Sequence, residues 1–170
     1  MTEELGYRVL QRYPDFEVRE YPAHSLIECE LSGEFSAVGN QAFGTLLGYI
    51  SGANRANRRI AMTAPVLQRE LPGGRHAVSF VLPAALTGQA PDPLHPALRS
   101  VTVGAECMAV RRFSGGWTRA RAASQEASLR LSLERVGLEA AGPARFARFD
   151  PPWKPGFLRR NEVLIPLRKK

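Results

Sequence analysis

Leu31-Ser-Gly-Glu-Phe35 and Phe113-Ser-Gly-Gly-Trp117, two stretches of nearly the same pattern, lie 82 residues apart. Each follows residues typical of a β-strand and opens a helical pattern. After the first, apolar residues recur at intervals of three and four, the spacing of one helix face: Phe35, Val38, Ala42, Leu46, Tyr49 and Ile50, with Phe43 and Leu47 widening the stripe. After the second, the chain to Val136 is rich in Ala, Leu and Arg without Gly or Pro. Two helices are predicted, ending near Gly52 and Gly137.

Strand-like segments surround both helices. They occupy residues 16–31 (with a bend at Pro22), 60–69, 76–82, 98–113 (with a turn or bulge at Gly104), 145–150 and 161–167. Residues 14–83 and 98–167 thus form two halves of a single domain spanning residues 1–170, each with the order strand, helix, strand, strand. Such a duplication predicts an α+β fold with both helices on one side of a shared, curved antiparallel sheet. The expected ligand site is an apolar groove between the halves.

The charge of the chain is uneven. Its formal net charge is +7, and residues 99–170 alone contribute 15 basic and six acidic side chains. Twenty of the 23 basic residues are Arg, scattered along the chain without a nucleic-acid-binding motif, so nucleic-acid binding is not predicted. There is no run of about 18 apolar residues and no leader-like start, which predicts a cytoplasmic protein without a membrane span. Cys29 and Cys107 match no metal or haem-attachment spacing and are expected to be buried thiols.

Several short motifs follow one another along most of the chain. They are Val18-Arg-Glu-Tyr-Pro22, Tyr49-Ile-Ser-Gly-Ala-Asn54, Ile60-Ala-Met-Thr-Ala-Pro-Val66, Val78-Ser-Phe-Val-Leu-Pro83, Phe113-Ser-Gly115, Phe149-Asp-Pro-Pro-Trp-Lys-Pro155 and Arg159-Arg-Asn-Glu-Val163. In these motifs the chain resembles the SOUL haem-binding protein family over residues 14–167. The resemblance implies a distorted antiparallel β-barrel with two helices, akin to the effector-binding domains of bacterial multidrug-responsive regulators. It also implies binding of haem or another tetrapyrrole.

Some members of this family hold the tetrapyrrole on an apolar patch with a basic rim, and the sequence contains residues suited to that mode. The candidates are Phe43, Leu47, Ile60 and Met62 for apolar area, Arg55, Arg58 and Arg59 for two propionates, and Phe157 and Leu158 for further apolar contact from a loop. The predicted partner is therefore a tetrapyrrole or another small hydrophobic anion.

An axial iron ligand is harder to find. Some relatives carry His directly before the Tyr of the first motif, where this chain has Glu20. His24, four residues further on, is the remaining candidate and, by strand alternation, would share the face of Glu20. His76 and His95 are expected to face solvent.

The function predicted from the sequence is a reversible haem carrier or buffer, and three alternatives stay open. Glu162, at a position resembling the acidic pocket residue of the effector-binding domains, would serve a sensor or scavenger of cationic or aromatic molecules, or form a salt bridge with Arg159, Arg160 or Arg19. A hydrolase or porphyrin-modifying enzyme on the same fold is the second alternative, although no known catalytic motif occurs. The third is a protein-interaction module. The oligomeric state is open, with a monomer as the expectation.

Overall fold

The structure is a computed structural model that describes residues 2–150 and 154–169. Its two long helices and largely antiparallel strands confirm the predicted α+β class; the short pair β1–β5 is parallel. The elements are β1 (Glu3–Glu4), β2 (Arg8–Arg12), β3 (Glu17–Tyr21), β4 (His24–Ser32), α1 (Phe35–Ile50), β5 (Thr63–Ala64), β6 (Val66–Leu71), β7 (Arg75–Val81), β8 (Leu98–Val103), β9 (Glu106–Phe113), α2 (Arg119–Val136), β10 (Arg145–Arg148) and β11 (Asn161–Pro166). Single turns of 3₁₀ helix lie at Ala84–Leu86 and Gly156–Leu158.

Unit 1 is the first of two compact units and consists of Met1–Leu5 and Ala23–Gly104. Its sheet has the strand order β6-β7-β4-β8, and each neighbouring pair is antiparallel. Helix α1 contacts β4 and β7. The core of this unit includes Ile27, Cys29, Val38, Ala42, Leu46, Tyr49, Val78, Phe80 and Leu82.

Helix α1 buries the stripe that the sequence predicts. All six residues of that stripe, Phe35, Val38, Ala42, Leu46, Tyr49 and Ile50, are buried. Phe43 and Leu47, expected to widen it, are instead 43% and 41% exposed. Since the sheet covers only one side of the helix, side chains at the margin of the stripe stay in contact with solvent. The helical periodicity is confirmed, whereas the assignment of Phe43 and Leu47 to the stripe is wrong.

Unit 2 consists of Gly6–Pro22 and Ala105–Lys170. Its sheet has the order β2-β3-β9-β11-β10, again antiparallel throughout. Helix α2 contacts β9 and β11. The Thr118 hydroxyl accepts a hydrogen bond from the Arg121 amide (3.2 Å) and caps the helix start, and Gly137 ends the helix in the left-handed conformation (φ 75°).

Strand β3 pairs differently from what the repeat suggests. The repeat places it in the first half of the chain, but β3 pairs with β9, with Glu17 opposite Val110 and Tyr21 opposite Glu106. Pro22 ends the strand, and β4 then begins in unit 1. A sequence pattern reveals that a segment is extended but does not reveal its pairing partner.

The single-domain assignment of residues 1–170 stays a prediction.

The backbone conformation and the close packing at position 115 explain why the Phe113-Ser-Gly115 motif ends in glycine. Its φ is 105°, and a Cβ at this position would lie 2.6 Å from Nε of Arg121. That Nε donates a hydrogen bond to the Ser114 carbonyl (2.6 Å), so the guanidinium cannot move without losing it. The Gly115 amide in turn donates to the Gly156 carbonyl (2.8 Å). The motif therefore fixes the start of α2 and the loop before β11 together.

We expect Gly115→Ala to lower the free energy of unfolding by about 1–3 kcal/mol, because alanine is strained at this φ and displaces the arginine. Gly116→Ala is the matched control, since its Cβ would meet only the Thr118 methyl group at 3.9 Å. Urea unfolding followed by circular dichroism measures both variants. Equal losses at the two positions would contradict this explanation.

Candidate functional site

The exposed side of helix α1 includes two large apolar side chains, Phe43 and Leu47. Phe43 and Leu47 lie one turn apart, and the Phe43 ring rests edge-on against Phe80 (ring centroids 5.5 Å apart). Gly44 and Gly48 follow them on the same helix, and a Cβ at either glycine would meet nothing within 4 Å among the described residues. Glycine inside a helix costs about 1 kcal/mol relative to alanine. These four residues, here named the α1 strip, place two apolar side chains beside bare backbone.

A basic loop follows the C-terminal end of α1. This arginine loop, residues 51–59, is organised by the buried side chain of Asn54. The Asn54 amide donates to the carbonyls of Tyr49 (2.9 Å) and Arg58 (2.8 Å), and its oxygen accepts from the Arg58 amide (3.1 Å). Arg55, Arg58 and Arg59 are exposed. The loop thus holds three cations on a fixed backbone.

The proline-rich connection between β7 and β8 braces this loop. The Arg55 amide donates to the Asp92 carbonyl (2.9 Å), and Asn54 forms a bridge with Pro93. The Tyr49 hydroxyl donates to the Pro91 carbonyl (2.6 Å). Burial, with a smaller effect of the Asp92 charge, raises the pKa of Tyr49 to about 12, so this hydrogen bond persists across the physiological pH range.

Ile60 and Met62 continue from the loop toward β5. The Ile60 amide donates to the Ile50 carbonyl (2.8 Å), which closes the loop at the helix end. The side chain of Ile60 is only 7% exposed and belongs to the core of unit 1, and Met62 is half-buried against that core. Phe43, Leu47, Met62 and the three arginines all lie in unit 1. Ile60, predicted to offer apolar area to a ligand, is instead buried in the core of that unit and has almost no accessible surface.

Two of the three histidines, His24 and His76, are buried. His76 is 3% exposed, and its Nε2 hydrogen-bonds the Gly33 carbonyl (3.0 Å), so the expectation that it faces solvent is wrong. It follows a Gly-Gly turn but belongs to β7, where its side chain lies beside Phe35. His24 is 5% exposed, at the start of β4, whereas Glu20 lies in β3. The predicted shared face of His24 and Glu20 does not exist because the two residues lie in different strands.

His95 is exposed, as predicted, but its ring is oriented by a hydrogen bond. Its Nδ1 accepts from the Ala97 amide (3.0 Å). In the neutral ring the proton then sits on Nε2, whereas an iron ligand needs a lone pair there. Within residues 2–150 and 154–169, no group of three or more His, Cys, Asp or Glu side chains could hold a metal ion.

Glu162 is buried in unit 2 and paired with Arg19. The Arg19 Nη1 and Nη2 atoms donate to the two carboxylate oxygens, each at 3.0 Å. Arg19 Nη1 also donates to the Tyr21 hydroxyl (2.9 Å), and the Tyr7 ring stacks on the guanidinium (3.9 Å). Burial alone would lower the pKa of Arg19, but the bonds and charge of Glu162 outweigh it and raise that pKa. Of the partners proposed from sequence, Arg19 is the one that forms this bidentate salt bridge.

A shallow pocket of about 330 Å³ lies beside this pair. Tyr7, Tyr21 and Pro22 line it, and the exposed Arg8–Glu20 salt bridge (2.9 Å) lies at its rim. Glu20, which replaces the histidine of some relatives, therefore has an ordinary surface role here.

Phe157 and Leu158 also lie in unit 2, on the 3₁₀ turn before β11. Their exposed fractions are 77% and 53%. The FDPPW motif, residues 149–153, lies partly outside the described residues, which include only Phe149 and Asp150 of it.

Glu28, on β4, is a buried charge that sequence reasoning missed. Its side chain is only 2% exposed. Because its neighbours Ile27 and Cys29 point into the core beneath α1, Glu28 lies on the opposite face of the sheet. Its carboxylate accepts from Arg99 Nη2 (2.8 Å), Arg69 Nη2 (3.0 Å) and the Ser79 hydroxyl (3.2 Å). The available signal in the sequence is strand alternation, since Glu28 lies between the apolar residues Ile27 and Cys29.

A comparison with protein families decides the assignment. The family model described as "SOUL heme-binding protein" matches residues 2–166, nearly the whole chain. The chain belongs to the SOUL haem-binding protein family. No curated protein matches it. Membership in the SOUL family carries haem or tetrapyrrole binding as a general expectation, and the particular site residues stay predictions.

Solved structures show what fold this SOUL protein shares with other proteins. The C-terminal domain of EcmrR is similar with a TM-score of 0.69 at 11% identity, covering 96% of this chain and 99% of that one. A hydrolase from Listeria innocua is similar with a TM-score of 0.63 at 10% identity, covering 94% of each chain. At such low identity these similarities establish the fold alone. None of the described helices is long and apolar enough to cross a membrane, and the cytoplasmic location stays a prediction.

Proposed function

We propose that this SOUL protein binds haem or a related tetrapyrrole reversibly, as a carrier or buffer, with the ring on the α1 strip and the propionates at the arginine loop. The observation that carries the proposal is the strip itself, where Phe43 and Leu47 are exposed beside Gly44 and Gly48. A planar ring can approach bare helix backbone more closely than backbone covered by Cβ atoms. The two glycines thus have a use that compensates for their cost to the helix.

The balance of forces favours reversible binding. Transfer of apolar surface from water contributes about 25 cal/mol per Å², so contact with Phe43 and Leu47 supplies most of the affinity. Exposed ion pairs between propionates and Arg55, Arg58 or Arg59 add at most about 1 kcal/mol each. His24 and His76 are buried, and the lone pair of His95 is engaged by Ala97. We therefore propose binding without a strong axial ligand from the protein.

Titration with haemin, followed at the Soret band, tests this proposal. We expect saturable one-to-one binding by the wild type and a loss of about 10- to 100-fold in affinity for F43A/L47A. Full burial of each large apolar side chain is worth about 1.5–3 kcal/mol, and Phe43 and Leu47 have 43% and 41% of their surface left to bury. G44A/G48A separates binding from folding, because alanine should raise helix stability by about 1 kcal/mol per site while its methyl groups keep the ring away. A stabilised G44A/G48A variant with unchanged haemin affinity would overturn the site.

The matched control removes another exposed Phe–Leu pair. F157A/L158A lies in unit 2 and should keep wild-type affinity if the α1 strip is the site. The sequence predicts Phe157 and Leu158 as ligand contacts, and this variant also tests that prediction. A loss equal to that of F43A/L47A would refute a site confined to α1.

The alternatives that depend on Glu162 find less support. A cationic ligand, or a proton-transfer role, requires a carboxylate that is available, and both oxygens of Glu162 are bound by Arg19. Displacing Arg19 would leave a guanidinium that is 7% exposed without its partner. The geometry therefore favours a structural role for this pair over a sensor or a hydrolase.

A further inference from the structure

We infer that the turn before β11 is a docking site for an anionic membrane surface. Within the described residues Phe157 has the highest exposed fraction of any large apolar side chain, 77%, and Leu158 beside it has 53%. The turn comprises residues 154–160, here named the Phe157 turn. Consecutive exposed apolar residues on a turn can enter the headgroup region of a bilayer, where water is displaced from them.

Hydrogen bonds to neighbouring backbone and to Asp150 fix the conformation of the Phe157 turn. The Gly156 carbonyl accepts from the Gly115 amide (2.8 Å), and Arg159 Nε donates to the Lys154 carbonyl (2.7 Å). Asp150 accepts from the Arg160 amide (2.5 Å) and from Lys154 Nζ (3.0 Å). Burial would raise the pKa of Asp150, but these donors outweigh burial and lower that pKa. The Asp150 carboxylate is therefore ionised at neutral pH. A braced turn loses little conformational entropy on docking.

The charge around the turn selects the partner. The turn contains three basic residues, Lys154, Arg159 and Arg160. A fourth, Arg121, lies against Gly115, which is hydrogen-bonded to the turn. The acidic residue bound to the turn is Asp150. The sequence of unit 2 contains 17 basic and nine acidic residues, a net charge of +8, whereas unit 1 has six and seven, a net charge of −1. Basic residues near anionic lipids are attracted to the surface in proportion to their number.

The size of the apolar surface distinguishes a bilayer from a protein partner. Two neighbouring side chains are far short of the roughly 1,200 Å² that a specific protein interface buries. They are sufficient for shallow insertion when cations add attraction over a wider area. An anionic lipid surface therefore fits both the small apolar tip and the positive unit that carries it.

Co-sedimentation of the ligand-free full chain with vesicles tests this inference. We expect binding to phosphatidylcholine vesicles containing 30% phosphatidylglycerol (roughly the anionic content at which such attraction is strong) and at least about tenfold weaker binding to pure phosphatidylcholine. F157A/L158A should lose about tenfold or more, whereas L94A, which removes an exposed leucine from unit 1, should bind like the wild type. Binding that ignores phosphatidylglycerol, or that is equal in F157A/L158A and wild type, would overturn the inference.

Two further measurements keep the result specific. Phe157→Trp retains an aromatic tip, and its fluorescence should shift to the blue with anionic vesicles, whereas Leu94→Trp should not respond. Poly-glutamate serves as a protein-like polyanion, and binding to it that depends on Phe157 as strongly as vesicle binding does would assign the turn to an acidic protein instead. F157A/L158A should retain haemin binding, so failure of the docking site and failure of the haem site give different results.

Discussion

Replacing Arg19 with methionine should lower the free energy of unfolding by about 3–5 kcal/mol, the usual cost of leaving one partner of a buried ion pair alone. The Arg19 and Glu162 side chains are 7% and 5% exposed, so water cannot replace the lost partner. The same change removes the hydrogen bond to the Tyr21 hydroxyl and the stacking on Tyr7. Urea denaturation followed by circular dichroism measures the loss.

The double variant R19M/E162L separates the lost interaction from the buried charge. Because it removes both charges and restores apolar packing, we expect it to recover most of the stability that R19M loses. Arg8→Met is the matched control, since it breaks the Arg8–Glu20 pair whose side chains are 72% and 49% exposed. That change should cost at most about 1 kcal/mol. If R8M and R19M lose equal stability, or R19M/E162L recovers nothing, the stability predicted for the buried Arg19–Glu162 pair is wrong.

The position of Arg19 shows why such a pair is difficult to predict from sequence. Arg19 and Glu162 are separated by 143 positions, on β3 and β11, with β9 between them. Arg19 lies opposite Met108, and Glu162 lies opposite Arg112, so both point to one face of the sheet. Strand alternation predicts the face of each residue, but the register that brings them together depends on β9.

The helices were more accessible to sequence reasoning. The stripe of α1 and the end of α2 at Gly137 follow from periodicity and from the left-handed conformation that glycine adopts readily. The same periodicity does not separate a wide core stripe from an exposed patch, and it therefore predicts that Phe43 and Leu47 belong to the stripe. Their exposure depends on how far the sheet of unit 1 extends beneath the helix. Strand β2 escaped prediction because it is short and largely exposed.

The arginine loop illustrates a similar limit. Its composition predicts a polar, basic segment, but the role of Asn54 depends on three hydrogen bonds to backbone atoms. Those bonds depend on where α1 ends, because the carbonyl of Tyr49, in the last turn, has no partner within the helix. The cations of the proposed site were therefore visible in the sequence, while the scaffold that positions them was not.

Glu28→Gln should lower the free energy of unfolding at pH 7 by about 2–4 kcal/mol, because an amide cannot satisfy both arginines and Ser79 as the carboxylate does. Burial raises the pKa of Glu28, but hydrogen bonds and charges from Arg99 and Arg69 outweigh it, and the net effect lowers that pKa. A lowered pKa in the folded state means that the unfolded chain takes up the proton first as the pH falls. The stability contributed by the charge is thus complete above the unfolded value of about 4.3 and is lost at lower pH.

The difference in stability between wild type and Glu28→Gln should therefore be constant from pH 7 to about pH 5 and shrink as the pH falls below the unfolded value. Glu30→Gln is the matched control on the same strand, since Glu30 is 33% exposed while pairing with Arg99 (3.0 Å) and Arg75 (3.6 Å). It should cost at most about 1 kcal/mol. Urea midpoints measured from pH 3 to pH 7 test both variants. A Glu28→Gln difference that stays undiminished at pH 3 would mean that the hydrogen bonds accepted by Glu28, and not its charge, make it important, because the contribution of the charge must decline once the carboxylate is protonated.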